Sequence, residues 1–139
     1  MHAMRILLVE DEPVSRTALT QILKTEGDHQ MTVAENGAAA WDLLDDPGRS
    51  FDVVFLDLGL PKMDGFALLQ RIRQAPLLKS LDVVVCTASS DRSTVVKAVQ
   101  HGARHYIVKP CTPEVVLAKL RQLQPAHPAN GERLLSGAR

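Results

Sequence analysis

At 139 residues, 45% hydrophobic and 23% charged, the chain has the size and composition of one soluble domain with a sizeable core. Its 16 basic and 16 acidic residues cancel, which argues against nucleic acid or an anionic membrane drawn in by net charge, and no apolar run approaches the ~20 residues that cross a bilayer. The N-terminus "MHAMRILLVE" shows no signal peptide, and two cysteines, Cys86 and Cys111, are too few for a disulfide framework and too far apart for a zinc knuckle; the expectation is a cytoplasmic protein with reduced thiols.

A second Met at position 4 suggests that the first three residues are a leader. "RILLVE" (5–10) is an apolar run of strand length. "PVSRTALTQILKTEG" (13–27) places Val14, Ala18 and Ile22 four apart with Leu19 and Leu23 beside them, one apolar helical stripe with Pro13 in the first turn and Gly27 past the end. "QMTVAE" (30–35) is a strand and "GAAAWDLLDD" (37–46) a helix. "DVVFLD" (52–57) is a third strand, followed by the helix "DGFALLQRIRQA" (64–75), which Asp64 can cap. "LDVVVCT" (81–87) is a fourth strand; the helix over 92–102 closes at Gly102. "HYIVK" (105–109) is the fifth strand, and Thr112 and Pro113 open a last helix over 112–123. Five β-α units in strict alternation predict a parallel sheet with helices on both faces, and the strands at 52–57 and 81–87, apolar on both sides, are its centre. From position 125, "PAHPANGERLLSGAR" reads as a tail or the start of a linker.

Ligands of open parallel α/β sheets bind at the carboxyl ends of the strands. Strand one ends in Glu10-Asp11-Glu12, strand three in Asp57, strand four in Thr87 and strand five in Lys109-Pro110. Two carboxylates ~4 Å apart in a partly buried site repel by on the order of 4 kcal/mol at an effective dielectric near 20, so a proton or a cation must relieve them. Magnesium suits such a site better than calcium, which takes more protein oxygens, or zinc, which takes His or Cys. With Lys109 to pair with an anion and Thr87 to donate to it, the set describes a phosphoryl pocket with Asp57 placed to attack phosphorus.

These residues carry a family resemblance. "LLVEDEP", "VVFLDLGLPKMDGF", "VVVCTASS" and "GARHYIVKPC", in that order on alternating units, resemble the motifs of the response-regulator receiver domain of two-component signalling, over roughly residues 4–123. The resemblance implies a flavodoxin-like doubly wound (βα)5 sheet in the order 2-1-3-4-5. It implies that Asp57 takes a phosphoryl group from a histidine kinase or phosphotransfer protein. Mg²⁺ would be held by Asp11 and Asp57, by Glu10 through water, and by the Gly59 carbonyl. Lys109 would pair with the phosphoryl oxygens, Thr87 would shift to hydrogen-bond one, and Tyr106 would follow by turning inward. The surface of helix 92–102, strand 105–109 and helix 112–123 would then meet an output protein or a second receiver; neither nucleic acid nor membrane is expected. The Lys109-Pro110 bond would be cis. Gly59 and Ser89 are small where relatives tune phosphate lifetime, and Cys111 replaces a common aromatic residue, a change of packing without redox chemistry.

Singly, each residue has a plainer reading: acids in a first helical turn, Asp64 as a cap, Thr87 as a β-former, Lys109 as a solvated strand end, Tyr106 as core or edge packing. His2, His29, His101, His105 and His127 share no metal-ligand spacing and are assigned to no site. Among rival functions, a dehalogenase-type phosphohydrolase with an Asp nucleophile needs an acid where Gly59 stands. A flavodoxin-like FMN binder needs a phosphate loop where "EDEPVSR" is acidic. A receiver-like interaction module working without phosphorylation would not need the intact set. The chain is either a stand-alone regulator or a piece of a longer one, joined through a linker beginning "PAHPANG".

Overall fold

The computed structural model describes residues 3–58, 65–78, 81–87, 92–109 and 111–123. In chain order the elements are β1 (Arg5–Val9), α1 (Pro13–Glu26), β2 (Gln30–Ala34), α2 (Gly37–Leu44), β3 (Val53–Asp57), α3 (Gly65–Gln74), β4 (Asp82–Thr87), α4 (Arg92–Gln100), β5 (His105–Val108) and α5 (Pro113–Leu123). The strands form one parallel sheet in the order β2-β1-β3-β4-β5, as expected. Boundaries move by a residue or two, the ordinary uncertainty of helix and strand ends. A 3₁₀ turn, Pro76–Leu78, follows α3.

Strand pleating sorts the core into two halves. Leu7, Val9, Val54, Leu56, Val83 and Val85 face Ala40 and Leu44 of α2, Leu68, Leu69 and Ile72 of α3, and Ala98 of α4. Ile6, Leu8, Phe55, Val84 and Cys86 face Leu19 and Leu23 of α1 and Val116, Leu120 and Leu123 of α5. β3 and β4 are buried along their whole length, so both faces had to be apolar. Among the described residues no helix is long and apolar enough to cross a membrane.

The expected α1 stripe is corrected in its first half. Leu19 and Leu23 are buried and Ile22 packs beside them, but Val14 is 74% exposed and Ala18 is exposed as well. The first turns of α1 overhang the carboxyl edge of the sheet beside an open cavity, so the helical period was right and its depth was not.

Two local devices hold the edges of the sheet. At the amino edge, the Met4 N–H donates to His29 Nδ1 at 3.0 Å and the Gln30 N–H to the Met4 carbonyl at 2.9 Å. With Nδ1 accepting, His29 carries its proton on Nε2 and donates it to Glu26 Oε1 at 2.7 Å. His29 thus ties α1, β1 and β2 together as a buried structural residue. On the α3–α4 side, Gly102 closes α4 with φ +102°, a left-handed conformation that favours glycine. Arg73 packs where its Cβ would stand, 2.5 Å from the Arg73 Cγ, and donates to the carbonyls of Gly102 and Leu81 at 3.0 and 2.8 Å.

Candidate functional site

The three consecutive acids after β1 separate into three roles. Glu10 continues the β1 pairing, its N–H donating to the Ala34 carbonyl at 3.1 Å, and its side chain turns inward, leaving the residue 3% exposed. Asp11 stands at the surface. Glu12 is the N-cap of α1: its Oε1 accepts from the Ser15 N–H at 2.6 Å, and that hydrogen bond lowers its pKa. Pro13 at the first helical position has no N–H to leave unpaired. Glu12 therefore leaves the cluster, and Thr112 is confirmed as the opening residue of α5, its Oγ1 accepting from the Val115 N–H at 3.4 Å.

β3 delivers Asp57 to the middle of the same edge, 9% exposed. The chain just past it packs against the start of α3: the Gly65 N–H donates to the Leu58 carbonyl at 3.3 Å. A Cβ on Gly65 would lie 2.5 Å from the Leu58 Cα and 2.8 Å from the Asp57 carbonyl oxygen, so only glycine fits. Carboxylate oxygens of Glu10, Asp11 and Asp57 lie within 4.8 Å of one another. Lys109, one residue past β5, brings Nζ to 2.9 Å from Glu10 Oε1 and 3.5 Å from Asp57 Oδ2. Its backbone N–H donates to the Thr87 carbonyl at 2.7 Å, which fixes the ends of β4 and β5 together and leaves Thr87 buried at the same edge.

The electrostatics follow from this packing. Burial raises the Glu10 pKa and the neighbouring Asp57 carboxylate adds to the rise, against the hydrogen bond from Lys109. Burial works to lower the Lys109 pKa, but the Glu10 hydrogen bond and the charge of Asp57 outweigh it and the net direction is up. The cluster is thus a partly buried set of acids with one ammonium between them. The three acids offer carboxylate oxygens alone, the chemistry of a hard divalent cation and not of zinc.

Of the residues the sequence singled out, the structure brings together Glu10, Asp11, Asp57, Thr87 and Lys109 at one edge. Tyr106 lies away from them, 45% exposed on the outer side of β5. Gly59, Asp64, Ser89, Pro110 and the segment 124–139 lie outside the described residues. Two features escaped sequence reading. Arg16 Nη1 donates to the Glu10 carbonyl at 3.3 Å and lies 3.8 Å from Glu35 Oε2; one turn of helix after the acids, it could have been suspected from spacing alone. The other is a cavity of about 420 Å³ between the start of α1 and the β5–α5 junction, lined by Val14, Ala18, Phe55, Cys86 and Cys111, with Glu10, Asp57 and Lys109 at its polar end. There Cys86 Sγ lies 4.0 Å from the Val84 carbonyl oxygen; the neighbouring Cys111 and burial raise the Cys86 pKa, and Cys86 lowers that of Cys111.

Residues 6–121 match the family described as "Response regulator receiver domain". The chemotaxis protein CheY of Bacillus subtilis is 34% identical over 120 residues, 86% of this chain and 97% of its own. A putative response regulator from Chloroflexus aurantiacus superposes with a TM-score of 0.82 at 27% identity, covering 89% of this chain and 99% of that one. The Mn²⁺-bound form of response regulator Rcp1 superposes with a TM-score of 0.72 at 29% identity, over 97% of this chain and 99% of its own.

Proposed function

This chain belongs to the response regulator receiver domain family of two-component systems, and from that premise we propose that Asp57 is its phosphoryl acceptor. The receiver would span residues 4–123, with 124–139 as tail or linker. The observation that carries the reading is the meeting of the buried Asp57 with Glu10, Asp11 and Lys109 at one strand edge. Glu10, Asp11 and Asp57, with the Gly59 carbonyl, would hold Mg²⁺, which when bound neutralises phosphoryl oxygens and the clustered acids together. That fit rests on the all-oxygen donor set, and a Mn²⁺-bound relative supports it.

An Asp57 carboxylate oxygen attacks phosphorus of the donor, a phosphohistidine of a sensor kinase or phosphotransfer protein, and the P–N bond breaks as the imidazole leaves. Asp57 is held for attack by its place at the end of the buried β3. Lys109, kept charged by its acidic neighbours, exchanges its carboxylate contact for the incoming phosphoryl oxygens. Thr87, fixed at the backbone by Lys109, supplies a hydroxyl donor to one of them. The α4–β5–α5 side carries exposed Val96, Val99, Tyr106 and Val115, an apolar surface suited to an output protein or a second receiver in the cytoplasm, with Tyr106 as its movable element. Incubation with acetyl phosphate and Mg²⁺ should add one phosphoryl mass. Asp57→Ala should abolish it; unchanged labelling of that variant removes the acceptor assignment.

A further inference from the structure

Phosphoryl chemistry accounts for only part of the cavity beside Asp57. Of its volume of about 420 Å³, a phosphoryl group uses the polar end, where Glu10, Asp57 and Lys109 meet. The rest lies between Val14 and Ala18 of α1, Cys111 before α5, and Phe55 and Cys86 of the sheet. Phe55 is fully buried, whereas Val14 is 74% exposed and stands at the mouth. Apart from the hydroxyl of Ser15, these walls offer hydrocarbon and sulfur and have nothing to give a phosphate. Ala18 and Cys111 are small, and a larger side chain at either position would occupy the space. An apolar pocket with a few polar groups converging at one end has the make-up of a small-molecule site.

The charge of that end decides which molecules suit it. Glu10, Asp11 and Asp57 bring three negative charges, with carboxylate oxygens within 4.8 Å of one another. Lys109 brings one positive charge, at 2.9 Å from Glu10 and 3.5 Å from Asp57. Arg16, next to them, is matched by Glu35 at 3.8 Å. The protein's own groups thus leave this end negative, three charges against one. An anion is repelled there, a neutral group gains nothing from the field, and a cation is drawn in.

We propose that the cavity binds a small primary amine carrying a compact apolar group, an arylalkyl- or branched alkylammonium. Its ammonium, with three donors, lies against Glu10 and Asp57 beside Asp11, and its hydrocarbon fills the space between Ala18, Phe55 and Cys111. A divalent cation satisfies the same oxygens but makes no use of the apolar walls, so the amine and the metal compete and each excludes the other. The site rests on the cavity and its charges, and not on Asp57 being the phosphoryl acceptor.

Calorimetry on the metal-free whole chain tests this with 2-phenylethylamine as the probe. Its neutral and anionic counterparts are 2-phenylethanol and phenylacetate, and methylamine supplies the head group without the hydrocarbon. The amine should bind at least about ten-fold more tightly than any of the three. Cys111→Phe and Ala18→Leu fill the apolar space from opposite walls, and each should weaken the amine about ten-fold or more. Ala18 is exposed on its helix and leucine is a good helix former, so that variant keeps the test intact should Cys111→Phe fail to fold. Saturating Mg²⁺ should lower the apparent affinity of the amine at least about five-fold. No binding of the amine at millimolar concentration overturns the proposal. So does an alcohol or carboxylate that binds as tightly, a folded filled variant that binds like the parent, or an affinity that Mg²⁺, once shown to bind, leaves unchanged. Absence of Mg²⁺ binding to the parent removes the metal reading given above, while the counterparts and the filled variants still decide the amine site.

Discussion

Replacing Lys109 by Met keeps the apolar stem and removes the ammonium, which isolates its electrostatic part. At an effective dielectric near 20, the contact at 2.9 Å to Glu10 is worth about 6 kcal/mol of gross attraction and that at 3.5 Å to Asp57 about 5. The mutual repulsion of Glu10 and Asp57, whose oxygens lie within 4.8 Å, about 3 to 4 kcal/mol on the same scale, is present in both proteins and drops out of the difference. Most of the attraction is offset by desolvation, and the Lys109 side chain is still 21% exposed, so the net loss falls below the 3–5 kcal/mol typical of a broken buried pair, at about 2 kcal/mol.

The pH dependence has a definite sign. The Lys109 pKa is raised on folding, so its stabilisation is fully present below the ordinary lysine value and is lost only as alkaline pH passes the folded one. The Glu10 pKa is also raised, so Glu10 binds a proton more readily in the folded state, and its penalty at neutral pH is relieved as pH falls. Without Lys109 that pKa rises further. Urea denaturation of Lys109→Met should therefore show its deficit at pH 7, a smaller deficit toward the carboxylate range, and a larger gain from added Mg²⁺ than the unsubstituted protein shows. A variant equal to the parent at neutral pH without metal, or a deficit that ignores pH, refutes the electrostatic account.

The other predictions concern geometry. Gly65→Ala should cost about 1–3 kcal/mol by overpacking, because its Cβ lands on the Leu58 Cα and the Asp57 carbonyl; thermal denaturation reads the loss, and acetyl phosphate labelling should slow because Asp57 is displaced. His29→Phe should lower the urea midpoint by the equivalent of about 1–3 kcal/mol, since it strands the buried Met4 N–H and leaves the Glu26 carboxylate without its donor; no loss would mean water replaces the imidazole. Tyr106→Ala should leave acetyl phosphate labelling within a factor of about two, as a surface residue does, while weakening capture of whichever receiver or output protein binds the phosphorylated chain.

How much of this was legible in the sequence depended on whether a pattern or a distance was needed. β3 and β4 were readable because a strand covered on both faces must be apolar throughout, and 53–57 and 82–87 are. The site residues were readable because topology sends every strand end to one edge, so Asp57, Thr87 and Lys109 could be gathered before any distance was known. α1 was half readable: a helical period gives the angle of a face and not how far along the axis the sheet extends beneath it. Glu10, Asp11 and Glu12 were ranked by the family resemblance alone and not by their own pattern, because which acid turns inward depends on the dihedrals where β1 ends. That Cys86 and Cys111 would line one cavity was beyond reach for a similar reason. It depends on the register of β4 with β5, in which Cys86 pairs with Ile107 and Thr87 with Val108, and no local pattern encodes it.

That register also bears on how a charge at Asp57 could be felt at the surface. β5 is four residues long, and its neighbours on one short stretch include the exposed Tyr106, the buried Ile107, the site lysine and the cavity-lining Cys111. In the proposed phosphorylation, a lysine leaving Glu10 for a phosphoryl group would pull on a backbone already bonded to Thr87, so β4 and β5 would answer together. Ile107 is packed in the core and resists displacement, whereas Tyr106, pointing outward, is the residue on that strand with room to change rotamer. In the switch proposed above, Tyr106 would be the group that responds, being the exposed residue of β5 while the buried Ile107 holds the strand in place.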